Sequence, residues 1–185
     1  MNLLKQAHLT WKEHLESLDT ERPLIIDATC GNGHDSLFLS SFEEAELHCV
    51  DIQEQAIKAT SARLPERSSI HFHHQSHEDV SFTGRPIDLI VYNLGYLPGS
   101  DKSIITTPNS TLTSLESASK HLSPSGMISL MIYKGHEGGM TEYKYIINYI
   151  EKNYSTLVAN KVINHLKPTC PEFITLTRQK TLISV

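Results

Sequence analysis

The sequence predicts an α/β fold, in which a mostly parallel seven-stranded sheet has helices on both faces and ends in an antiparallel hairpin. Short apolar runs alternate with segments of helical periodicity, which is typical of parallel sheets. The first apolar run ends in Asp27 and breaks into the turn Gly31–Asn32–Gly33, directly before a helix-like segment. A strand, a glycine turn and a helix together present backbone N–H groups to a nucleotide ligand.

The elements follow one another without a repeat, a low-complexity tract or a linker. Residues 3–18 carry apolar side chains at helical spacing, so an amphipathic helix is expected within residues 1–20. The predicted strands are 23–28, 45–50, 69–74, 87–93, 127–133, 156–165 and 172–178, and the remaining predicted helices are 33–41, 53–64, 108–121 and 140–153. We expect one domain over residues 1–185, a length sufficient to bury a core.

Composition narrows the class of protein. The formal net charge is −5, which is not typical of proteins that hold long nucleic acids through their phosphates. No apolar run approaches the ~18 residues of a membrane span. The three cysteines are widely spaced and indicate no disulfide framework. We therefore expect a cytoplasmic protein that does not enter a membrane and that binds a small molecule or one local RNA segment.

The turn and its flanking acids predict the cofactor. Ser36 stands where a dinucleotide-binding turn has its third glycine, and the carboxylate of Asp35 would repel a pyrophosphate. S-adenosylmethionine has no phosphate and carries a cationic centre, so it suits this turn. Asp51 follows Gly31 by twenty residues, the spacing at which a carboxylate meets ribose hydroxyls. The alternative is an ordinary turn with a solvated Asp51. The predicted cofactor-binding residues are Asp27, Thr29, Gly31, Asn32, Gly33, Asp35, Asp51, Ile52, Gln75, Ser76 and Asn93.

Two later loops carry the predicted chemistry of the acceptor. Asn93 ends the fourth predicted strand, and its amide oxygen could accept an N–H of a nucleophilic amine while a loop carbonyl accepts another. Tyr96 could stack on a base. His136 lies between glycines and is a candidate general base in a cleft. The alternatives are an asparagine that caps a turn and a surface histidine.

The predicted catalytic residues are therefore Asn93, Tyr96 and His136, and the predicted substrate-binding residues are Gly95, Asp101, Lys102 and Tyr133. Lys102 and Lys134 are candidates for contacts with RNA phosphates, and the alternative for Lys102 is an ordinary solvated lysine. The histidines at 71, 73, 74 and 77 suggest a metal, but no neighbouring carboxylate or cysteine completes a zinc pattern. Exposed imidazoles at a strand end are therefore expected, and no metal site.

Three segments together resemble a known family: Asp27–Asp35, Asn93–Gly99 with Asp101 and Lys102, and Gly135–Gly139. They are similar to the MnmM-type tRNA (mnm5s2U34) methyltransferases, small class I enzymes long labelled rRNA methylases. The resemblance implies a Rossmann-like methyltransferase fold and S-adenosylmethionine as methyl donor. It also implies the tRNA anticodon loop as partner, with 5-aminomethyl-2-thiouridine at wobble position 34 as acceptor.

The chain departs from the family pattern at two positions, where Lys134 and Glu172 replace residues that are often proline. Other functions remain open from the sequence. An rRNA or small-amine N-methyltransferase would share the fold, whereas a nicotinamide-dependent oxidoreductase or a non-catalytic regulator that binds S-adenosylmethionine would belong to another class. The apolar side of the N-terminal helix suggests a homodimer.

Overall fold

The computed structural model describes residues 2–80, 84–95, 106–153, 155–162 and 169–179. The helices are α1 (Leu3–Glu16), α2 (His34–Leu39), α3 (Glu54–Arg63), α4 (Pro108–His121) and α5 (Gly139–Lys152), with a short 3₁₀ turn at His77–Asp79. The strands are β1 (Leu24–Asp27), β2 (Glu46–Asp51), β3 (Ile70–His74), β4 (Ile87–Leu94), β5 (Leu122–Ile132), β6 (Leu157–Val162) and β7 (Glu172–Arg178).

The seven strands form one sheet in the order β3-β2-β1-β4-β5-β7-β6. Strands β1 to β5 are parallel to one another, and β7 runs antiparallel to both β5 and β6. The predicted parallel sheet with a C-terminal antiparallel hairpin is thus confirmed. The chain builds outward from β1 to β3 and then returns to the other side of β1. Ligands of such sheets bind at the carboxyl ends of the strands beside this reversal.

The clearest difference from the sequence prediction concerns β5, which begins at Leu122 and not at residue 127. Leu122 pairs with Ile87, and the register then shifts before Leu89 pairs with Met127. A Cβ on Gly126 would lie 2.4 Å from the Ile87 carbonyl oxygen, so the strands approach closely at this point. The Pro124–Gly126 segment predicted to be a turn is therefore an irregularity inside the strand, where proline and glycine are tolerated.

Helix α1 packs on the sheet through its apolar face. Ala7, Trp11 and Leu15 are buried, and the Trp11 indole Nε1 donates a 2.7 Å hydrogen bond to the Ser129 hydroxyl of β5. This face is covered by the protein's own sheet, so it does not by itself require a second copy of the chain. The homodimer stays a prediction. None of the helices in the described ranges combines the length and the apolar character needed to cross a membrane.

Candidate functional site

The glycine turn between β1 and α2 is shaped by its packing against α3. Gly31 and Gly33 have φ angles of 53° and 76°, a region that glycine enters more readily than other residues. A Cβ on Gly33 would lie 2.8 Å from the Thr60 Cα of α3. The Thr60 hydroxyl also donates to the Gly31 carbonyl oxygen at 3.0 Å. Position 33 thus requires glycine, because α3 packs too closely for a side chain. Gly31 faces the end of β2.

Asp51 at the end of β2 is held by two backbone N–H groups. Its Oδ2 accepts from Gly31 at 2.9 Å, and its Oδ1 accepts from Gln53 at 2.9 Å. Desolvation raises the pKa of the Asp51 carboxyl, although these hydrogen bonds act in the opposite direction. An ionised carboxylate has about four acceptor positions, so each oxygen retains one for a ribose hydroxyl. The half-buried Asp51 therefore fits the predicted role.

We expect Asp51→Ala to weaken binding of S-adenosylmethionine at least about tenfold, because two charge-assisted hydrogen bonds would be lost. The variant should remain folded, since Asp51 is only half-buried. Titration calorimetry measures the affinity, and thermal unfolding provides the folding control. An unchanged affinity in a folded variant would remove Asp51 from the cofactor site.

Asp27 lies beneath the turn and not at its surface. It is 1% exposed and accepts hydrogen bonds from the Ser36 hydroxyl at 2.6 Å and the Thr29 N–H at 3.3 Å. Desolvation, followed by the nearby Asp35 charge, raises the pKa of Asp27 from 3.8 to about 7. Because ionisation of Asp27 is disfavoured in the folded protein, its contribution to the free energy of unfolding falls as the pH rises from about 4 to 7. Direct contact of Asp27 with a cofactor stays a prediction, whereas its support of the turn is observed.

A carboxylate joins three elements at the centre of the site. Asp35, in the first turn of α2, lies with its Oδ1 2.6 Å from the His8 Nε2 of α1. Its Oδ2 accepts a hydrogen bond from the Asn93 side-chain amide at the end of β4. Because an ionised carboxylate only accepts, Asn93 must direct Nδ2 toward Asp35, which leaves its Oδ1 facing away. This is the orientation that the sequence prediction for Asn93 requires.

His8 is a site residue that the sequence analysis missed. Its ring stacks on Phe38 of α2, with ring centroids 4.1 Å apart and planes inclined by 9°. The periodicity of residues 3–18 indicated only packing, and no local pattern shows that a side chain 27 residues away is its partner. The contact between α1 and the Asp35–Asn93 pair follows from the tertiary fold alone.

The end of β4 is fixed by further backbone contacts. The Asn93 N–H donates to the Thr29 hydroxyl at 2.7 Å, which connects the glycine turn to β4. The Leu94 carbonyl oxygen accepts from the Tyr133 N–H at 3.1 Å, and the Gly95 carbonyl oxygen accepts from the Thr106 N–H at 3.1 Å. A carbonyl oxygen has two lone pairs, so each could still accept one N–H of an incoming amine.

His136 is packed more closely than the sequence analysis expected. A Cβ on Gly139 would lie 2.8 Å from the His136 Nε2, and a Cβ on Gly95 would lie 3.6 Å from it. The His136 Nδ1 lies 2.8 Å from the Glu137 carbonyl oxygen. A carbonyl only accepts, so Nδ1 carries the hydrogen, and in the neutral ring Nε2 holds the lone pair. The ring thus occupies a space that Gly95 and Gly139 leave open.

Within the described ranges, the remaining predicted site residues follow the ends of strands or lie in the glycine turn. Tyr133 is 42% exposed, and desolvation with the Asp35 charge raises the pKa of its hydroxyl. On the cofactor side, the Gln75 N–H donates to the Asp51 carbonyl oxygen at 3.0 Å. Three further residues were predicted to bind the cofactor. Ile52 is 58% exposed, Ser76 caps the 3₁₀ turn, and the carbonyl oxygen of Asn32 accepts a hydrogen bond from Arg63. Tyr96, Asp101 and Lys102 lie outside the described residues.

Lys134 is not available for an RNA phosphate, contrary to the expectation from the sequence. It is 7% exposed, and its Nζ lies 2.5 Å from the Glu172 Oε1. The ammonium group also lies 4.8 Å from the centroid of the Tyr143 ring. The two positions at which the chain departs from the family pattern therefore form a buried ion pair with each other.

Comparison with known proteins places the chain in a family. Residues 47–177 match the family model described as "Putative rRNA methylase". The chain belongs to this family. A curated relative, the chloroplastic tRNA (mnm(5)s(2)U34)-methyltransferase of Arabidopsis thaliana, is 34% identical over 156 residues, which are 76% of this chain and 56% of the relative. The chain therefore spans little more than half the length of that relative.

Solved structures confirm the Rossmann-like methyltransferase fold. A putative rRNA methylase from Clostridium thermocellum has a TM-score of 0.83 and 26% identity, with 97% of this chain and 98% of that chain covered. A putative methyltransferase from Streptococcus mutans, solved in complex with SAH, has a TM-score of 0.81 and 26% identity over 97% and 99% of the two chains. SAH is the product left by S-adenosylmethionine after methyl transfer, which supports the expected cofactor.

Proposed function

We propose that this protein is an S-adenosylmethionine-dependent tRNA methyltransferase. Its acceptor is the primary amine of 5-aminomethyl-2-thiouridine at wobble position 34, and its product is 5-methylaminomethyl-2-thiouridine. The observation that carries the proposal is the contact between Asp35 and Asn93, which leaves an amide oxygen aimed away from the carboxylate at the carboxyl end of β4. The name of the Arabidopsis relative supports the choice of acceptor.

The donor would supply a methyl group on a sulfonium, and the chain offers a site that fits such a ligand. Asp51 retains acceptor capacity for ribose hydroxyls, and the turn at Gly31 leaves no side chain between the backbone and that space. The Asp35 carboxylate brings negative charge to the first turn of α2. That charge favours a cationic ligand and disfavours a pyrophosphate, so it counts against the nicotinamide-dependent alternative.

The acceptor amine must be positioned and neutral when its nitrogen forms the bond to the methyl carbon. Asn93 Oδ1 would accept one amine N–H, and the free lone pair of the Leu94 or Gly95 carbonyl would accept another. The nitrogen lone pair would then point at the methyl group, and alignment of this kind supplies much of the acceleration in a direct transfer. The carbon–sulfur bond breaks as the new carbon–nitrogen bond forms.

The product amine loses one proton after the transfer. His136 is our candidate acceptor for that proton, because a neutral ring with Nδ1–H directed at the Glu137 carbonyl has its lone pair on Nε2, beside Gly95. Tyr133 would contact the base or ribose of the acceptor from the edge of the site. The roles of Tyr96, Asp101 and Lys102 stay predictions, as do the anticodon loop as binding partner, the cytoplasmic location and the homodimer.

The deciding experiment uses purified protein and S-adenosylmethionine with four acceptors: tRNA bearing 5-aminomethyl-2-thiouridine, the same tRNA lacking the aminomethyl group, rRNA and a simple alkylamine. Nucleoside mass spectrometry should find one added methyl group only in the first tRNA. Asn93→Ala is the matched control for a contaminating activity. Methylation of rRNA or of the free amine alone would overturn the proposed acceptor. Calorimetric binding of NAD or NADP in place of S-adenosylmethionine would overturn the proposed class.

A further inference from the structure

Far from the candidate active site, three potential metal ligands converge on one face of the sheet edge. Glu46 and His48 are two residues apart on β2, so they share a face of the sheet. His71 of β3 stands opposite His48 in the parallel register. The Glu46 Oε1 lies 3.3 Å from the His48 Nε2 and 3.7 Å from the His71 Nε2. The three ligand atoms all lie within 4.8 Å of one another.

These separations match the needs of a small tetrahedral ion. Zinc binds imidazole nitrogen and carboxylate oxygen at about 2.0–2.2 Å, so two ligands at tetrahedral positions stand roughly 3.3–3.5 Å apart. The two distances from the Glu46 Oε1, 3.3 Å and 3.7 Å, are close to this value. The side chains are 21%, 26% and 40% exposed for Glu46, His48 and His71, so an ion could enter from solvent.

Neighbouring groups hold the ligand atoms in this arrangement. The His48 Nδ1 lies 2.9 Å from the His73 Nε2, and the two rings are parallel within 5°. The Glu46 carboxylate only accepts, so the His48 Nε2–H donates to its Oε1 at 3.3 Å in this structure. If a zinc ion replaced that hydrogen, the His48 Nδ1–H could be donated to the His73 Nε2. Metal-binding histidines are usually oriented by such a contact of the second ring nitrogen.

The carboxylate of Glu46 is oriented from its other oxygen. Arg85 and Arg22 lie 2.8 Å and 3.2 Å from the Glu46 Oε2. The Oε1 is thereby turned toward the two imidazoles. The positive charges of the two arginines will lower the affinity for a cation, so binding should be weaker than at a cysteine-rich zinc site.

We propose that Glu46 Oε1, His48 Nε2 and His71 Nε2 bind one zinc ion, with a water molecule as the fourth ligand. The ion would link the edge strand β3 to β2. Glu46 is the first residue of β2 and Asp51 is the last. At the rise of an extended chain, these two residues lie about 16 Å apart. The site is therefore a structural one, separate from the cofactor site.

From the sequence alone, no carboxylate completes a zinc pattern with the histidine run, because Glu46 precedes His71 by 25 residues. In the described part of the connection between β3 and β4, the 3₁₀ turn packs against α4. The half-buried imidazoles of His48 and His73 lie on this sheet face at the edge of the sheet. The pairing of β2 with β3 is what assembles the donor set.

The test titrates tag-free protein, stripped with a chelator, with Zn²⁺ in competition with a chromophoric indicator, and with Co²⁺ followed by visible absorption. We expect one saturable site, an intense absorption typical of tetrahedral Co²⁺, and a higher Tm with Zn²⁺. His71→Gln and His48→Gln should each weaken binding at least about tenfold. His121→Gln, which removes an exposed histidine of α4, is the matched control and should bind like the unaltered protein.

His71 is the decisive position, because its side chain is 40% exposed and its replacement should leave the protein folded. The absence of saturable binding would overturn the proposal. Equal binding by folded His71→Gln and the unaltered protein would also overturn it. Loss of binding in His121→Gln with retention in His71→Gln would place the metal elsewhere.

Discussion

Asn93→Ala should lower kcat on tRNA bearing 5-aminomethyl-2-thiouridine by about a hundredfold or more, while the affinity for S-adenosylmethionine changes little. The side-chain oxygen of Asn93 is the group that would align the amine, and a hundredfold loss corresponds to about 2.7 kcal/mol of transition-state stabilisation. The backbone of β4 should remain in place, because the Asn93 N–H to Thr29 contact does not use the side chain. Single-turnover methyl transfer at saturating donor measures the effect.

The Asp35 contact makes this prediction sharper. If Asp35 acts by fixing the Asn93 amide, Asp35→Ala should reproduce most of the loss in kcat. The double variant Asn93→Ala/Asp35→Ala should then add little to either single change, since residues that act as a unit are not additive. Gln55→Ala, on the exposed side of α3, is the matched control and should retain full activity. A near-normal rate for Asn93→Ala would place the acceptor elsewhere and direct attention to His136.

The parts of the fold that were predictable are those in which local pattern and tertiary packing agree. Helix α4 occupies the predicted residues 108–121, where Thr107 and Ser110 form a capping box and Pro108 begins the helix. The glycine turn and Asp51 were also predictable from their spacing in the sequence, because both belong to one local strand–helix–strand unit. The start of β5 could not be predicted from the sequence, because the pairing of Leu122 with Ile87 overrides a proline–glycine pattern that usually indicates a turn.

The side-chain partnerships of the site were beyond the sequence. His8 reaches Asp35 across 27 residues, and Lys134 reaches Glu172 across 38. Neither pair shares an element, so no periodicity relates its members. The sequence indicates which residue types end the strands, but only the packed fold decides which of them touch. Lys134 therefore looked like a surface cation for RNA when it is a buried partner of a carboxylate.

The buried pair gives the largest expected effect on stability. Lys134→Met should lower the free energy of unfolding by about 3–5 kcal/mol, because it leaves the Glu172 carboxylate, which is 4% exposed, without its cation. Lys134→Met/Glu172→Leu removes both charges and keeps apolar volume, so it should recover most of the loss. Urea unfolding followed by circular dichroism measures both, and equal m-values would show that the same surface is exposed in each variant.

An exposed ion pair provides the comparison. Lys120 and Glu116 are one turn apart on α4 and form a 2.9 Å pair with side chains 67% and 62% exposed. Lys120→Met should leave the unfolding midpoint nearly unchanged, because solvent screens such pairs. A small effect of Lys134→Met, similar to that of Lys120→Met, would show that water reaches the Glu172 carboxylate. A large loss that Glu172→Leu fails to reverse would mean that the lysine acts mainly through the contact of its ammonium with the Tyr143 ring, 4.8 Å from the centroid, and not through its pairing with Glu172.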